Sequence, residues 1–202
     1  KLASEGKTVV YFAENEQVIG LVALMDVPNE EAMNAIHYFK SQNIETTMIT
    51  GDAKLTGEAV GRLVGVDQVF ANVLPEEKSA IVDQLKREVG MTGMVGDGIN
   101  DAPALVNADI GVAMGDGTDI AIDVADVVVM KNDLSKLGYA HRVSKRLNKI
   151  VQQNIIFSML VVATLIILNF LGIANIAFSV LIHEGSTLVV IFNGLRLLVN
   201  TK

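Results

Sequence analysis

Cysteine and tryptophan are absent from the 202 residues, and proline occurs only three times. Without cysteine the chain can form no disulfide and offers no thiolate ligand to a metal ion. Aromatic residues are scarce, at 5% of the chain, and no basic patch is interleaved with them. Acidic residues outnumber basic ones by 23 to 16, giving a net charge of -7. These features argue against nucleic acid as a partner.

Hydrophobic residues make up half of the chain, but they are unevenly distributed. The longest apolar runs all follow Val151, which predicts a soluble part followed by a membrane part. The sequence opens at Lys1 with neither an initiator methionine nor a signal-peptide pattern. We therefore expect the chain to be a piece of something longer.

The soluble part alternates between strand and helix patterns. Residues 8–12 and 18–25 are rich in β-formers on either side of a polar turn, which predicts a hairpin. Pro28 has the position of a first-turn helix proline. The alternation predicts an α/β fold, a parallel sheet with helices on both faces. Its further predicted strands are residues 44–49, 69–73, the apolar residues leading into Gly96, 109–114 and 127–130.

The stretch 94–105, MVGDGINDAPAL, is the most informative motif in the chain. It reads as a buried strand that ends in a tight turn carrying Asp97, Asn100 and Asp101. Two glycines let the backbone approach a ligand closely, and Mg²⁺ prefers carboxylate oxygens together with substrate phosphates. The alternative is an ordinary Asp/Asn/Gly turn, which is common in proteins.

Two other places suggest the same chemistry. Thr50, Gly51 and Asp52 follow a predicted strand, at the end where ligands gather in open α/β sheets. The alternative is that Asp52 caps the next helix. Lys78 falls in the first turn of a helix that Pro75 opens, where a cation is unfavourable for the helix dipole. The alternative for Lys78 is a solvated surface lysine.

Two apolar runs, 155–171 and 173–198, are each close to the roughly 20 residues that a membrane-spanning helix needs. Together they predict a two-helix hairpin. Residues 133–150 are helical in pattern and become basic near their end, which predicts a stalk that enters the membrane from the cytoplasm.

Ionisable residues interrupt the second apolar run at 183–187, HEGST. His183, Glu184 and Thr187 could all face one bundle interior, since they are three or four positions apart or adjacent on a helix. Imidazole with carboxylate suits a divalent transition metal. The alternative is a set of structural contacts between helices, made by Ser186, Thr187 and Asn193.

The order of these motifs closely resembles the phosphorylation domain of P-type ATPases, a membrane-transport branch of the haloacid-dehalogenase-like phosphotransferases. The likeness covers essentially the whole chain. The segment 183–187 further resembles the last transmembrane helix of heavy-metal pumps, in the subgroup linked to cobalt, zinc and related divalent cations.

The resemblance implies a role for each motif residue. Asp97 would coordinate Mg²⁺ with Asp101 beside it, while Asn100 and Asp101 orient and close the phosphate site. Lys78 would neutralise the transferred phosphoryl group and help bind ATP. These roles suit phosphoryl transfer, which depends mainly on positioning and charge neutralisation.

The turn at 50–52 has implied roles as well. Thr50 and Gly51 would contact the phosphoryl group, and Asp52 would help dock the nucleotide and Mg²⁺. His183, Glu184 and Thr187 would bind the transported cation, of the Co²⁺, Zn²⁺ and Cd²⁺ class.

One part of the family pattern is absent: the nucleophilic aspartate of an Asp-Lys-Thr-Gly-Thr strand does not occur in this sequence. We expect that this chain alone does not hydrolyse ATP and that its partner is the N-terminal part of the same pump. The central strand of the sheet would also be missing, leaving an exposed or loosely closed sheet near Asp97.

The resemblance implies a protein of the cell (plasma) membrane, with the lipid bilayer as a further partner. Residues 1–150 and the C-terminus would be cytoplasmic, and the chain would contain four segments. They are the end of a nucleotide-binding domain (1–17), part of the phosphorylation domain (18–132), a stalk (133–150) and two transmembrane helices (151–202). Three alternatives are a membrane-anchored regulatory or binding module without catalysis, a potassium-type pump and a soluble phosphatase. The two predicted spanning helices disfavour the soluble phosphatase.

Overall fold

The computed structural model describes residues 7–24, 28–130 and 133–199. The chain forms two compact units, Lys1–Gly138 and Tyr139–Lys202. The strands are β1 (Thr8–Glu14), β2 (Gln17–Leu24), β3 (Thr47–Ile49), β4 (Gln68–Phe70), β5 (Gly93–Gly96), β6 (Ile110–Met114) and β7 (Val127–Val129). The helices are α1 (Glu30–Ser41), α2 (Lys54–Val64), α3 (Lys78–Val89), α4 (Ala102–Asn107), α5 (Asp119–Val124), α6 (Ser135–Phe170) and α7 (Ile176–Val199).

The predicted hairpin is confirmed. β1 and β2 pair antiparallel, with a register shift between Phe12 and Ala13. Asn15 and Glu16 form the turn, and both have positive φ, at 47° and 65°. Two consecutive positive φ angles match the tight hairpin turn whose twist suits paired strands. Residue 25, the predicted end of the second strand, lies outside the described residues.

The parallel strands form two groups rather than one continuous sheet. β3 pairs with β4, while β5, β6 and β7 pair in that order, all in parallel. Within the described part of the chain, no strand bridges the two groups. A cavity between them is lined by Ile49 of β3 and by Met94 and Val95 of β5. This break lies beside Asp97, where the sequence predicted a missing strand.

Helices cover both faces of the β5–β7 sheet, as predicted. On one face Ala113 packs with Leu105 of α4 and Ala121 of α5. On the other face Val112, Met114 and Val129 pack against Leu134 and Leu137. Neighbouring residues of β6 therefore enter different clusters, because side chains alternate across a strand.

Several sequence predictions differ from the structure at the ends of elements. The strand predicted from residue 44 begins at Thr47, because the Ile44 N–H still donates to Phe39 O at 3.1 Å and closes the end of α1. The strand predicted to reach residue 73 ends at Phe70, since Asn72 has a positive φ of 56° and turns the chain.

Two predicted helix starts are also corrected. Pro28 precedes the first turn of α1, whose cap is Asn29, with Asn29 Oδ1 accepting the Ala32 N–H at 2.8 Å. The residue before α2 is Ala53, and among the described residues no side chain caps that helix. Asp52 instead accepts a hydrogen bond from the Thr50 hydroxyl at 2.9 Å, so the capping alternative for Asp52 is wrong.

The strand β5 is less buried than the sequence predicted. Val95 is 37% exposed, although its apolar surroundings in the sequence indicated a buried strand. β5 pairs only with β6 among the described strands, so its other edge has no neighbouring strand to cover it.

An aspartate lies directly before the second strand of each parallel pair. Its carboxylate accepts the backbone N–H of a residue on the neighbouring strand or just before it, and its own N–H donates to the same residue's carbonyl. The pairs are Asp67 with Thr46, Asp109 with Thr92 and Asp126 with Gly111, at 2.8–3.0 Å. Each pair comes directly before the paired strand residues and therefore fixes the register.

Lysines reinforce two of these aspartates. Lys40 Nζ lies 2.7 Å from Asp67 Oδ1, and Lys86 Nζ lies 3.2 Å from Asp109 Oδ1. Hydrogen bonds from Lys40 and Thr46 lower the pKa of Asp67 from its ordinary 3.8 to about 2. The backbone N–H of Thr92, followed by Lys86, lowers the pKa of Asp109. Both carboxylates are therefore stabilised in the charged form.

The second unit contains most of α6 and all of α7. Both helices are long and apolar enough to cross a membrane. The intervening turn has Gly172 at a φ of +69°, and Asn175 caps α7 by accepting the Phe178 N–H at 2.8 Å. Near that turn Asn169 Nδ2 donates to Ser179 Oγ at 2.8 Å.

A second polar contact joins the same two helices farther from the turn. Asn193 Nδ2 of α7 donates to Asn154 Oδ1 of α6 at 2.8 Å. Within α7, Arg196 Nη1 donates to Asn193 Oδ1 at 2.8 Å. Hydrogen bonds between apolar helices help set which faces meet. The predicted helical hairpin is thus held at two levels.

Candidate functional site

Lys78 and Asp101 form an ion pair near the carboxyl end of β5. The 3₁₀ turn Pro75–Glu77 leads into α3, and Glu77 Oε2 accepts the Leu74 N–H at 2.9 Å, which fixes the path of the chain into the helix. Lys78 Nζ then lies 2.7 Å from Asp101 Oδ1, with side chains only 18% and 11% exposed. The solvated surface alternative for Lys78 is therefore wrong.

Asp101 also organises the turn that contains it. Its Oδ2 accepts the Gly98 N–H at 3.2 Å, closing the turn back onto itself. A Cβ at Gly96 would lie 2.6 Å from Asp101 Cβ, so a larger residue at 96 would push Asp101 aside. The glycine in the motif keeps Asp101 within reach of Lys78.

Asp97 is an exposed carboxylate at the end of β5. Within the described part of the chain, the Asp97 carboxylate and the Asn100 amide make no hydrogen bond or ion pair. Unpartnered oxygens beside a bound lysine are a donor set that fits Mg²⁺, a hard cation that also keeps substrate oxygens and water. The residues present therefore fit the ion that the motif predicts.

The side chains converge on the cavity between the two strand groups. The cavity has a volume of about 490 Å³ and is lined by Lys78, Gly96, Asp97 and Asp101 together with apolar residues of the strands. It thus combines one cation, two carboxylates and an apolar wall. With Mg²⁺ bound to the carboxylates, such a combination could hold a phosphate-bearing group and offset its charge.

The turn at Thr50, Gly51 and Asp52 is held by its own hydrogen bonds and lies outside the cavity. Asp52 accepts the Thr50 hydroxyl, and the Thr50 N–H donates to Phe70 O at 2.9 Å, tying the turn to the end of β4. None of the three residues lines the cavity, and neither does Asn100. The structure therefore brings Lys78, Asp97 and Asp101 together and leaves the 50–52 turn as a neighbouring feature.

The predicted membrane residues all lie on α7. The Ser186 and Thr187 hydroxyls donate to His183 O at 2.6 and 3.4 Å, so both are satisfied within their own helix. The alternative of contacts between helices holds only for Asn193. No group of three metal-ligating carboxylates or histidines forms among the described residues, so a cation at His183 and Glu184 would need further ligands.

Sequence reasoning missed the loop after β6. There Thr118 N–H donates to Asp97 O at 2.8 Å, so this loop directly contacts the candidate Mg²⁺ ligand. The run Gly115-Asp116-Gly117-Thr118 was the available signal, since two closely spaced glycines often indicate a close backbone approach.

A model of one protein family matches residues 1–109, more than half of the chain, and its description is haloacid dehalogenase-like hydrolase. The chain belongs to this family of hydrolases.

Similar proteins narrow the class further. The chain is 47% identical over 193 residues to the zinc-transporting ATPase of Bacillus subtilis (strain 168), covering 96% of the chain and 30% of that relative. It is 41% identical to the cadmium, zinc and cobalt-transporting ATPase of the same strain, covering 95% of the chain and 28% of that relative. The chain therefore spans less than a third of the curated relatives that it matches.

A solved structure agrees with these relatives. The crystal structure of a zinc-transporting PIB-type ATPase in the E2.Pi state superposes with a TM-score of 0.89 at 34% identity, covering 98% of this chain and 32% of that one. The resemblance to heavy-metal P-type ATPases that the motif order predicted is confirmed.

Proposed function

We propose that the chain is the C-terminal part of an ATP-driven transporter of divalent heavy-metal cations, working in efflux through an aspartyl-phosphate intermediate. The observation that carries the proposal is the cavity where Lys78, held 2.7 Å from Asp101, lies beside the carboxylate of Asp97, which has no partner among the described residues. This is the charge arrangement that phosphoryl transfer requires.

Each residue has a role in the proposed site. Lys78 binds and neutralises the phosphoryl oxygens, and Asp101 orients Lys78 by the ion pair. Asp97, with Asp101 beside it, holds Mg²⁺, which when bound supplies further positive charge to the phosphate. Asn100 and Asp101 also orient and close the phosphate site.

The neighbouring turn completes the ATP site. Thr50 and Gly51 contact the phosphoryl group, while Asp52 and Lys78 dock ATP with its Mg²⁺. The support is positional, because the 50–52 turn follows β3, one of the two strands that flank the cavity.

The nucleophilic aspartate comes from the N-terminal part of the same pump, on a strand that fills the break between β3 and β5. Two observations support this placement. The cavity there has an apolar wall of Ile49, Met94 and Val95, and the edge of β5 facing away from β6 carries no described strand. An apolar wall and a free strand edge suit an added parallel strand.

The proposed protein lies in the cell (plasma) membrane and spans it several times, with residues 1–150 and the C-terminus cytoplasmic. Residues 1–17 end a nucleotide-binding domain, 18–132 belong to the phosphorylation domain, 133–150 form a stalk, and 151–202 form two transmembrane helices. Two helices of membrane-crossing length and the metal-transporting ATPases among the relatives support this organisation.

His183, Glu184 and Thr187 bind the transported cation, of the Co²⁺, Zn²⁺ and Cd²⁺ class, with ligands from other helices. The support is chemical, because an imidazole and a carboxylate in an apolar helix are costly unless they have a function. The relatives named for zinc, cadmium and cobalt transport agree with this metal class.

The cytoplasmic site is tested by phosphoenzyme formation from labelled ATP in the intact protein. Asp97→Ala should abolish the metal-stimulated phosphoenzyme, whereas Asp83→Ala, an exposed aspartate on α3, should leave it unchanged. A normal signal from Asp97→Ala would show that the assigned Mg²⁺ role is wrong.

The membrane site is tested by ATPase activity across Co²⁺, Zn²⁺, Cd²⁺, Fe²⁺, Cu⁺ and K⁺. His183→Ala should lose stimulation by its preferred metal and keep phosphorylation by inorganic phosphate. Ser186→Ala is the matched control, because its hydroxyl donates to His183 O within its own helix. Unchanged metal selectivity in His183→Ala would count against a ligand role.

A further inference from the structure

The loop between β6 and α5 packs directly behind Asp97. Gly117 N–H donates to Met114 O at 2.8 Å, which turns the loop, and Thr118 N–H then donates to Asp97 O at 2.8 Å. Thr118 also caps α5, its hydroxyl accepting the Ala121 N–H at 3.4 Å. The main chain of Asp97 is therefore braced by a loop that is itself anchored to β6 and α5.

Gly117 is required there for space. A Cβ at 117 would lie 2.6 Å from Asp97 O, 2.8 Å from Met114 O and 3.1 Å from Asp97 Cα. All three are backbone atoms, which cannot rotate away as the end of a side chain can. Gly117 does not have a positive φ, so the conformation itself would tolerate alanine. Any larger residue must therefore displace the loop or the main chain of Asp97.

We propose that Gly117 and the Thr118 N–H are positioning elements for the Asp97 carboxylate, acting through the Asp97 main chain. This inference rests on the proposed role of Asp97 as a Mg²⁺ ligand. Mg²⁺ demands near-ideal octahedral geometry, so a displaced ligand loses affinity for the ion. Groups that orient a metal ligand typically change metal affinity by about 10- to 100-fold when they are altered.

The test is direct binding of Mn²⁺, a paramagnetic substitute for Mg²⁺, to the intact purified protein, followed by electron paramagnetic resonance. Gly117→Ala should weaken Mn²⁺ binding by about tenfold. Gly115→Ala is the matched control in the same loop. Its Cβ would be similarly crowded, 2.8 Å from Val129 O, but the three atoms nearest to it belong to Val129 and Met130 rather than to Asp97. It should leave Mn²⁺ affinity unchanged.

A second pair of variants tests the Thr118 contact with Asp97 and still decides the question if Gly117→Ala does not fold. Thr118 has a φ of -71°, which proline adopts, but proline has no N–H and its ring carbon would take the place of the hydrogen that points at Asp97 O. Thr118→Pro therefore removes the hydrogen bond and pushes on the Asp97 main chain. Thr118→Ala also loses the capping hydroxyl but keeps the N–H. Thr118→Pro should weaken Mn²⁺ binding more than Thr118→Ala does.

Asp97→Ala separates the inference from the proposed function. If Asp97→Ala loses Mn²⁺ binding while Gly117→Ala and Thr118→Pro bind as the unmodified protein does, the positioning inference is wrong and the Mg²⁺ role of Asp97 stands. If Asp97→Ala itself binds Mn²⁺ normally, the Mg²⁺ role is wrong. Equal weakening by Gly115→Ala and Gly117→Ala would also overturn the inference, because the effect would then belong to the loop in general.

Discussion

The two ends of the parallel strands use the same residue types for different purposes. At the amino ends Asp67, Asp109 and Asp126 each accept a backbone N–H from the neighbouring chain segment, and two of them also pair with a lysine. At the carboxyl end of β5, Asp97 has no such partner among the described residues. We interpret the three amino-end aspartates, whose carboxylates are bonded within the protein, as structural, whereas the Asp97 carboxylate is available to a ligand.

Lysine shows the same contrast. Lys86 lies in the last turn of α3, where a cation is favourable for the helix dipole, and also bonds Asn107 O at 2.8 Å. Lys78 begins the same helix, where a cation is unfavourable, and its ammonium is held at the cavity by Asp101. Lys86, which lies at the amino ends of the strands, thus adds stability. Lys78, which lies at the carboxyl end of β5, is held at a position useful for binding an anion.

Among the substitutions that test this difference between the two ends, Lys78→Ala should have the largest effect. Phosphoenzyme formation should fall by about 10²- to 10³-fold, because the phosphoryl group loses its cation. The free energy of unfolding should also fall by about 2 kcal/mol, since Asp101 is left nearly buried without its partner. Lys86→Ala is the control and should keep phosphorylation. Normal phosphorylation by Lys78→Ala would contradict the assignment of the two ends.

A smaller effect is expected at the amino end, from Asp67→Asn. The lowered pKa means that the charged form of Asp67 stabilises the fold above pH 3.8 and that this stability is lost as the pH falls toward 2. The variant should therefore melt at a lower temperature than the unmodified protein at pH 7. Its deficit should close between pH 3.8 and 2, as followed by circular dichroism, with phosphorylation at pH 7 unchanged. A deficit that stays constant down to pH 2 would exclude the carboxylate as its source.

The smallest effect is expected from Lys54→Ala. Lys54 lies close in sequence to the 50–52 turn but is 75% exposed, and its ion pair with Glu58 is long, at 3.8 Å. Exposed pairs of this kind contribute little, so the free energy of unfolding should change by less than about 0.5 kcal/mol in urea titrations. Phosphorylation should also be retained. A large loss of stability or of phosphorylation would mean that a position near the carboxyl ends of the strands matters more than the contacts that a residue makes.

Much of the carboxyl-end site could be predicted from sequence because its signals are local. Glycines around Asp97, and a lysine in the first turn after Pro75, conflict with ordinary stability and so indicate function. The strand lengths were harder, since Ile44 looks like a strand residue but its N–H closes the end of α1.

The amino-end pairs could not be foreseen in the same way. An aspartate before a strand reads as a turn residue, and only the neighbouring parallel strand reveals the N–H that it accepts. The role of Gly117 is hidden for the same reason, because the atom it must clear belongs to Asp97, in a different loop. Long-range backbone contacts leave little trace in a local pattern.

The most direct test of the difference between the two ends measures both phosphoenzyme level and urea unfolding midpoint in Asp97→Asn and Asp109→Asn, prepared in parallel. We predict that Asp97→Asn loses phosphorylation and keeps the midpoint, while Asp109→Asn keeps phosphorylation and unfolds at lower urea. The opposite pattern, or an equal loss of both properties in both variants, would contradict the separation of a binding end from a structural end.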